Sequence, residues 1–206
     1  MQNFPLAVLV GTVSAYWFWV GVMIARIRRK TRKVIGLVPK QRLERWLWLI
    51  WVPVVAGWIF VPWATLQGSA TVPALPEFAV REPAYIALRW VAALLAVISL
   101  AATIKCWTRM GVDWRMDIDP EQKAELIVDG LFARVRHPIY AFSILLMLCS
   151  VVIVPTPPML LIGVVKIILL NVKARNEEQY LLQVHGETYA RYLGRTGRFL
   201  PRWFVR

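Results

Sequence analysis

Five long apolar runs, separated by polar stretches, set the pattern of the chain. They cover residues 6–25, 43–66, 84–107, 138–154 and 158–172. As helices rising about 1.5 Å per residue, the first three are long enough to cross a hydrocarbon layer of ~30 Å. The last two are shorter and are joined by Pro155-Thr-Pro-Pro158, which predicts a tight membrane hairpin or two short tilted helices. The pattern therefore predicts an all-α integral membrane protein with about five transmembrane helices.

Basic residues indicate how the chain is oriented in the membrane. Residues 26–33 contain six basic side chains directly after the first apolar run. By the positive-inside rule this loop is cytoplasmic, so the N-terminus faces outward. Alternation then places residues 108–136 and the C-terminus in the cytoplasm, where Asp119-Pro120-Glu121 predicts the start of a short helix. Because the basic cluster follows the first apolar run instead of preceding it, we expect no cleaved signal peptide.

The composition narrows the class of protein further. With 58% apolar residues and eleven tryptophans, the chain is more apolar than the ~45–50% of ordinary soluble domains. The formal net charge of +13 would suggest nucleic acid in a soluble protein. Here the basic residues cluster beside apolar spans, where membrane orientation and anionic lipid explain them better. The two cysteines lie in apolar segments and there are only two histidines, so we expect neither a disulfide framework nor a metal site.

Some polar positions allow both structural and functional interpretations. Residues 173–206 carry a rough helical stripe, which predicts an amphipathic helix on the inner leaflet, broken at Gly186 and Gly194. Lys166 lies inside the last apolar run and is expected either to snorkel or to face a cavity. Arg89, near the outer end of the third run, is expected to snorkel.

Two polar clusters bracket the predicted hairpin. Arg134-Val-Arg-His137 precedes Pro138, which fits the first turn of a helix, and Arg175-Asn-Glu-Glu178 follows the last apolar run. Adjacent carboxylates on a helix point ~100° apart, so one of them can enter a site while the other faces solvent or a cation. Arg175 either grips an anionic group or marks the cytoplasmic side, and His137 is either a structural hydrogen-bonding residue or a general base. Taken singly, each residue also fits a solvated helix end.

Taken together, the two clusters resemble a known enzyme family. Four elements carry the resemblance: Gly130-Leu-Phe-Ala-Arg-Val-Arg-His-Pro-Ile-Tyr140, Arg175-Asn-Glu-Glu178, His185-Gly-Glu-Thr-Tyr-Ala-Arg-Tyr192 and Arg198-Phe-Leu-Pro201. In this order and spacing they resemble the isoprenylcysteine carboxyl methyltransferase family, with which phospholipid N-methyltransferases share much of the pattern. The resemblance covers about residues 126–201, and the N-terminal spans match as generic membrane helices.

The resemblance implies a membrane methyltransferase that binds S-adenosylmethionine in a cytoplasm-facing pocket and acts on a lipophilic or amphipathic acceptor. It divides the chain into a three-helix membrane region, residues 1–107, and a catalytic region, residues 108–206, within one structural domain. The residues that it assigns to the cofactor are Leu126, Ile127, Phe132, His137, Pro138, Ile139, Tyr140 and one of the two glutamates, with Glu177 favoured. On the catalytic side it places Lys173, Arg175 and Glu178.

Two departures from the family bear on the acceptor. The family often has tyrosine where Phe132 stands and a small residue where Phe142 stands. A bulky Phe142 is expected to narrow the acceptor tunnel, which argues against prenylcysteine as the substrate. A prenylated protein, a phospholipid amine, a small thiol and an isoprenoid acid all stay open.

Two other functions compete with methyl transfer. One is an NADPH-dependent membrane reductase similar to sterol reductases, which carry a similar Arg-His-Pro element but have asparagine at the position of Ile139. The other is a non-catalytic lipid-binding or assembly protein with a decayed pocket. The retained Arg-His-Pro, Tyr140 and paired glutamates favour the methyltransferase.

Overall fold

Helices form nearly all the regular structure in the computed structural model, which describes residues 3–31, 42–111 and 126–202. Within these ranges the helices are α1 Phe4–Thr31, α2 Arg42–Leu66, α3 Glu77–Arg81, α4 Pro83–Met110, a 3-10 helix Gly130–Ala133, α5 Pro138–Ile153, α6 Pro157–His185 and α7 Glu187–Arg195. The described ranges contain no strand beyond one isolated bridge between Val135 and Gly197. The predicted all-α class is confirmed.

Four of the helices are long and apolar enough to cross a membrane. These are α1, α2, α4 and α6, and they contain four of the five predicted spans; α5, with 16 residues, is shorter. Large apolar side chains such as Phe18, Trp46 and Leu94 point outward and are exposed. Exposed apolar surface of this kind is typical of helices that face lipid. An integral membrane protein is therefore supported, while full crossing by α5 stays a prediction.

The interior of the bundle is built from aromatic and aliphatic side chains of several helices. α4 packs along α5 and α1, and α2 packs along α6. Tyr16 of α1 contacts Trp58 of α2 and Trp107 of α4, with ring centroids 5.8 and 5.1 Å apart. The Trp58 indole donates a hydrogen bond of 2.9 Å to Ser150 Oγ of α5. Since a buried indole N–H needs a partner, this bond fixes the depth of Trp58 in the bundle.

The last long helix continues beyond the apolar run. α6 extends from Pro157 to His185, so Arg175-Asn-Glu-Glu178 lies within this helix instead of after it. The predicted stripe over residues 173–206 is therefore divided between the end of α6 and α7. Gly186 ends α6 with a φ of +51°, a conformation that glycine adopts without strain, and the predicted break there is confirmed. Gly194 lies inside α7, which continues to Arg195, so the predicted break at Gly194 does not occur.

Two further expectations concern Arg89 and the helix start at residues 119–121. Arg89 does not snorkel: it is 1% exposed and donates a 3.0 Å hydrogen bond to the carbonyl of Ala79, which ties α3 to α4. The shortness of α3 leaves carbonyl groups that a buried guanidinium can satisfy. The predicted helix start at Asp119-Pro120-Glu121 lies outside the described residues.

Two backbone segments run side by side and bring the C-terminal motif to the first polar cluster. The N–H of Arg136 donates to the carbonyl of Gly197 at 2.8 Å, and the N–H of His137 donates to the carbonyl of Arg198 at 3.1 Å. Glycine is required in this pairing, because a Cβ at position 197 would lie 1.7 Å from the carbonyl oxygen of Leu200. The pairing places the Arg198 side chain beside α6.

Candidate active site

A histidine, a tyrosine and a glutamate meet where α5 begins. Tyr140 donates a 2.5 Å hydrogen bond to Glu177 Oε1, and His137 Nδ1 lies 3.4 Å from Glu177 Oε2. The rings of His137 and Tyr140 stack with centroids 5.4 Å apart. This contact forms because α5 starts at Pro138, which holds His137 at its N-cap while Tyr140 points across to α6. Glu177 keeps 24% of its side chain exposed, so the trio can contact a ligand.

The second glutamate is enclosed by cations. Arg136 Nε lies 2.9 Å from Glu178 Oε1, and Arg198 reaches Glu178 with both Nε and Nη2, the latter at 2.6 Å. Arg136 also donates to the carbonyl of Thr196, and Arg198 donates to Asn171 Oδ1 at 3.0 Å. Only 8% of the Glu178 side chain is exposed. The Glu178 carboxylate also raises the pKa of Arg198, as a close opposite charge does.

His137 lies between the two carboxylates and is buried. Its Nε2 is 3.3 Å from Glu178 Oε1. Burial disfavours the charged imidazolium, but the carboxylates of Glu177 and Glu178 outweigh it and raise the pKa of His137 above its ordinary value of 6.5. Six residues of this site are called the polar cluster below: Arg136, His137, Tyr140, Glu177, Glu178 and Arg198. When His137 is protonated, the three cationic side chains of the cluster outnumber its two carboxylates, so the cluster carries a net charge of +1.

An apolar cavity opens beside the polar cluster. Its volume is about 90 Å³, and Ile139 and Lys173 are among the residues that line it. Six of the fifteen lining residues are aromatic, and the cavity is called the aromatic cavity below; they are Tyr16, Trp17, Trp48, Trp51, Trp107 and Tyr140. Lys166 also lines this cavity and is 2% exposed. Of the two expectations for Lys166, the structure therefore supports the side chain that faces a cavity.

A basic groove adjoins the polar cluster at Arg136 and Arg198. It encloses about 750 Å³ and is lined by Arg136, Arg198 and Phe199 among others. The edge of the Phe199 ring contacts His137, with centroids 6.3 Å apart. The polar cluster shares Tyr140 with the aromatic cavity and shares Arg136 and Arg198 with the groove, so it connects the two.

The other residues predicted for the site do not belong to the polar cluster. Phe132 is buried, and its carbonyl accepts a 2.5 Å hydrogen bond from the Tyr192 hydroxyl of α7. Leu126 and Ile127 are half-buried in the segment that leads into the 3-10 helix, and Pro138 is buried. Arg175 is exposed, because two residues along a helix turn its side chain about 200° away from Glu177.

Phe142 is half-buried on α5 and is not one of the residues that line this cavity. Ile139, Tyr140 and Ser143 form the α5 part of the wall instead. That Phe142 narrows the acceptor tunnel stays a prediction. Eight of the fifteen lining residues, four of them tryptophans, lie on α1, α2 and α4, which the motif comparison left aside as generic membrane helices.

Sequence reasoning did not assign Arg136 and Arg198 to the site, although both belong to the recognised motifs. Both arginines bind the carboxylate of Glu178, which lies 42 residues after Arg136 and 20 residues before Arg198. A buried carboxylate needs compensating charge, so a search for arginines matching Glu178 would have suggested them. In the described ranges, no group of three or more histidine, cysteine, aspartate or glutamate side chains comes together as a metal site.

Comparison with known proteins supports the family. The model of the isoprenylcysteine carboxyl methyltransferase (ICMT) family matches residues 91–183. The match begins inside α4, earlier than the resemblance read from the motifs, and ends in α6 beyond the paired glutamates. No curated protein sequence matches the chain.

Proposed function

Because residues 91–183 form a domain of the isoprenylcysteine carboxyl methyltransferase family, we propose that this membrane protein is a methyltransferase that uses S-adenosylmethionine. Its acceptor is a lipophilic or amphipathic molecule that enters from the bilayer. The observation that carries the proposal is the polar cluster, which shares Tyr140 with the aromatic cavity and shares Arg136 and Arg198 with the basic groove. Cofactor and acceptor can approach the cluster from these two spaces.

The polar cluster and basic groove fit the chemistry of S-adenosylmethionine. The partly exposed carboxylate of Glu177 suits a ribose hydroxyl or an amino group. The excess positive charge supplied by Arg136, His137 and Arg198 suits the carboxylate of the cofactor. Phe199 and Tyr140 supply aromatic surface for the adenine ring and the sulfonium. Phe132, Pro138, Ile139 and the backbone near Leu126 and Ile127 complete the proposed pocket.

When bound, the cofactor would supply a methyl group from a positively charged sulfur to a lone pair of the acceptor, in an in-line displacement that would leave the sulfur as a neutral thioether. Positioning supplies much of the acceleration in such a displacement. The stacked and hydrogen-bonded side chains of His137, Tyr140 and Glu177 hold one another in place for this purpose. Lys173, at the mouth of the cavity, orients the acceptor.

The two other residues assigned to the catalytic side take different parts in this proposal. Glu178 acts as a positioning residue, because its carboxylate is occupied by Arg136 and Arg198. It fixes the C-terminal segment and one face of His137. Arg175 lies on the exposed face of α6, and its contact with the acceptor stays a prediction.

Titration calorimetry in nanodiscs tests the proposal with S-adenosylhomocysteine, the product form of the cofactor. The wild-type protein should bind it, and Glu177→Gln should weaken binding about tenfold or more, because a charged hydrogen-bond acceptor is lost. Glu187→Gln, at an exposed position of α7, is the matched control and should bind as the wild type does. Binding of NADPH in place of S-adenosylhomocysteine would support the reductase alternative, and binding of neither by folded protein would refute both enzymatic functions.

A further inference from the structure

The backbone at Phe132 is held weakly by its own helix. Phe132 lies in the 3-10 helix Gly130–Ala133, which is four residues long, begins at a glycine with a φ of +58° and has no side-chain hydrogen bond at its N-cap. The N–H groups three and four positions after Phe132 donate to the carbonyls of Leu131 and Gly197. The backbone donors that could have closed the next turn are therefore engaged elsewhere, and the carbonyl of Phe132 needs another donor.

The hydroxyl of Tyr192 on α7 supplies that donor. It donates to the carbonyl of Phe132 at 2.5 Å, across 60 residues of chain. Because Phe132 is buried, water replaces a lost donor poorly there. On the other side of the 3-10 helix, the ion pair of Arg109 with Asp129 is exposed at 54% and 58%, so it holds this segment only weakly.

Tyr192 is itself fixed relative to the polar cluster. The Oγ1 of Thr196 donates to the carbonyl of Tyr192 at 2.7 Å. Arg136, whose Nε binds Glu178, donates from Nη1 to the carbonyl of Thr196. These bonds satisfy carbonyl groups at the end of α7, which the helix itself leaves open. A series of hydrogen bonds therefore links the polar cluster, through the end of α7, to the backbone of Phe132.

We infer that Tyr192 is a positioning residue for cofactor binding, which acts through the backbone of Phe132. The inference rests on the proposed methyltransferase function. Phe132 and the residues before it form one wall of the proposed pocket, while His137 and Glu177 belong to the polar cluster. The Tyr192 hydroxyl holds this wall in place relative to the cluster before the cofactor arrives, so that binding does not have to order it. Tyr192 does this without contacting the cofactor or the reacting atoms.

Two tyrosine variants test the inference. Tyr192→Phe removes the hydroxyl and keeps the ring. Tyr85→Phe is the matched control, because Tyr85 is also half-buried and its hydroxyl also donates to a distant backbone carbonyl, that of Val152, at 3.0 Å. It lies about 36 Å of helix from Arg109, whose side chain contacts Asp129. In nanodiscs both variants should melt below the wild type by similar amounts. Titration calorimetry should show S-adenosylhomocysteine bound about threefold to tenfold more weakly by Tyr192→Phe, the effect of one hydrogen bond, and within about twofold of wild type by Tyr85→Phe.

Amide hydrogen exchange measures the positioning directly. In wild-type protein without ligand, the hydrogen-bonded amides of Phe132 and Arg134 should already be protected. Tyr192→Phe should lose this protection and regain it with saturating S-adenosylhomocysteine, whereas Tyr85→Phe should keep it throughout. A bond that contributed only to stability would lower the melting temperature without this local change that the ligand reverses.

Two results would overturn the inference. One is binding of S-adenosylhomocysteine by Tyr192→Phe as tight as by the wild type, and the other is equal weakening in Tyr192→Phe and Tyr85→Phe. If Tyr192→Phe does not fold, the wild-type exchange measurement decides: amides of Phe132 and Arg134 that exchange freely until the ligand binds contradict positioning in advance. Failure of the methyltransferase proposal is distinguishable, because wild-type protein then does not bind S-adenosylhomocysteine, whereas failure of this inference leaves wild-type binding intact.

Discussion

Replacing Glu178 with glutamine tests how much the ion pairs of the polar cluster contribute to stability. The side chains of Glu178, Arg136 and Arg198 are 8%, 11% and 29% exposed. Glu178→Gln removes the negative charge but keeps the size of the side chain, so Arg136 and Arg198 lose the carboxylate that they share, while His137 keeps that of Glu177. Breaking a buried ion pair by removing one partner costs about 3–5 kcal/mol. Because Arg198 is partly exposed, we take the lower end, about 3 kcal/mol.

Thermal unfolding in nanodiscs, followed by tryptophan fluorescence, measures this loss. For a chain of about this length, 1 kcal/mol corresponds to roughly 2–4 °C, so Glu178→Gln should melt about 6–12 °C below the wild type. Glu77→Gln is the matched control, because the ion pair of Glu77 with Arg81 is exposed on both sides, at 81% and 73%. Its melting temperature should change by at most about 2 °C.

A second variant separates the ion pair from a general defect at position 178. Arg198→Met removes a charge that has lost its partner in Glu178→Gln, so it should lower the melting temperature less in that background than in the wild type. If Glu178→Gln melts with the Glu77→Gln control, the cluster contributes little to stability. In that case the role of Glu178 in positioning the C-terminal segment would be refuted as well.

Two further predictions concern the backbone pairing and the buried histidine. Gly197→Ala should lower the free energy of unfolding by about 2–3 kcal/mol, measured by thermal unfolding, because its Cβ would lie 1.7 Å from the Leu200 carbonyl oxygen. The control is Gly11→Ala, which has open space around it and should be near neutral. Equal stability of the two variants would contradict the backbone pairing. His137 has a raised pKa despite its burial, so its stabilisation is complete below its ordinary pKa of 6.5 and is lost as pH rises through the folded-state pKa. The melting temperature should therefore fall as the pH rises above about 6.5, and a fall of the same size in His137→Asn would show that another group titrates.

The sequence predicted the helices better than it predicted their ends. The apolar runs at residues 6–25, 43–66 and 84–107 lie inside α1, α2 and α4, because burial in lipid requires continuous helix wherever the chain is apolar. Composition does not show where a helix stops once the chain becomes polar. α6 continues through Arg175 to His185, since its polar residues find partners in the segment after α7, and no local pattern reports such distant partners.

The same distinction explains which site residues could be found from the sequence. His137, Tyr140 and Glu177 lie in short motifs whose spacing is readable along the chain, and they come together. Arg198 becomes part of the site through the backbone pairing with His137, which depends on one glycine 60 residues away from the first cluster. Such a contact is decided by the three-dimensional fold, so the motif alone identified the residue without its role.

Lys166 shows what position along a helix adds to composition. In the sequence it is a single lysine in an apolar run, equally consistent with a side chain that reaches toward the membrane surface. On α6, however, Lys166, Lys173 and Glu177 follow at intervals of seven and four residues, which places all three on one face. That face borders the aromatic cavity, so the lysine cannot serve the lipid surface and the cavity at once. The cavity wall therefore contains two lysines of the same helix, Lys166 and Lys173.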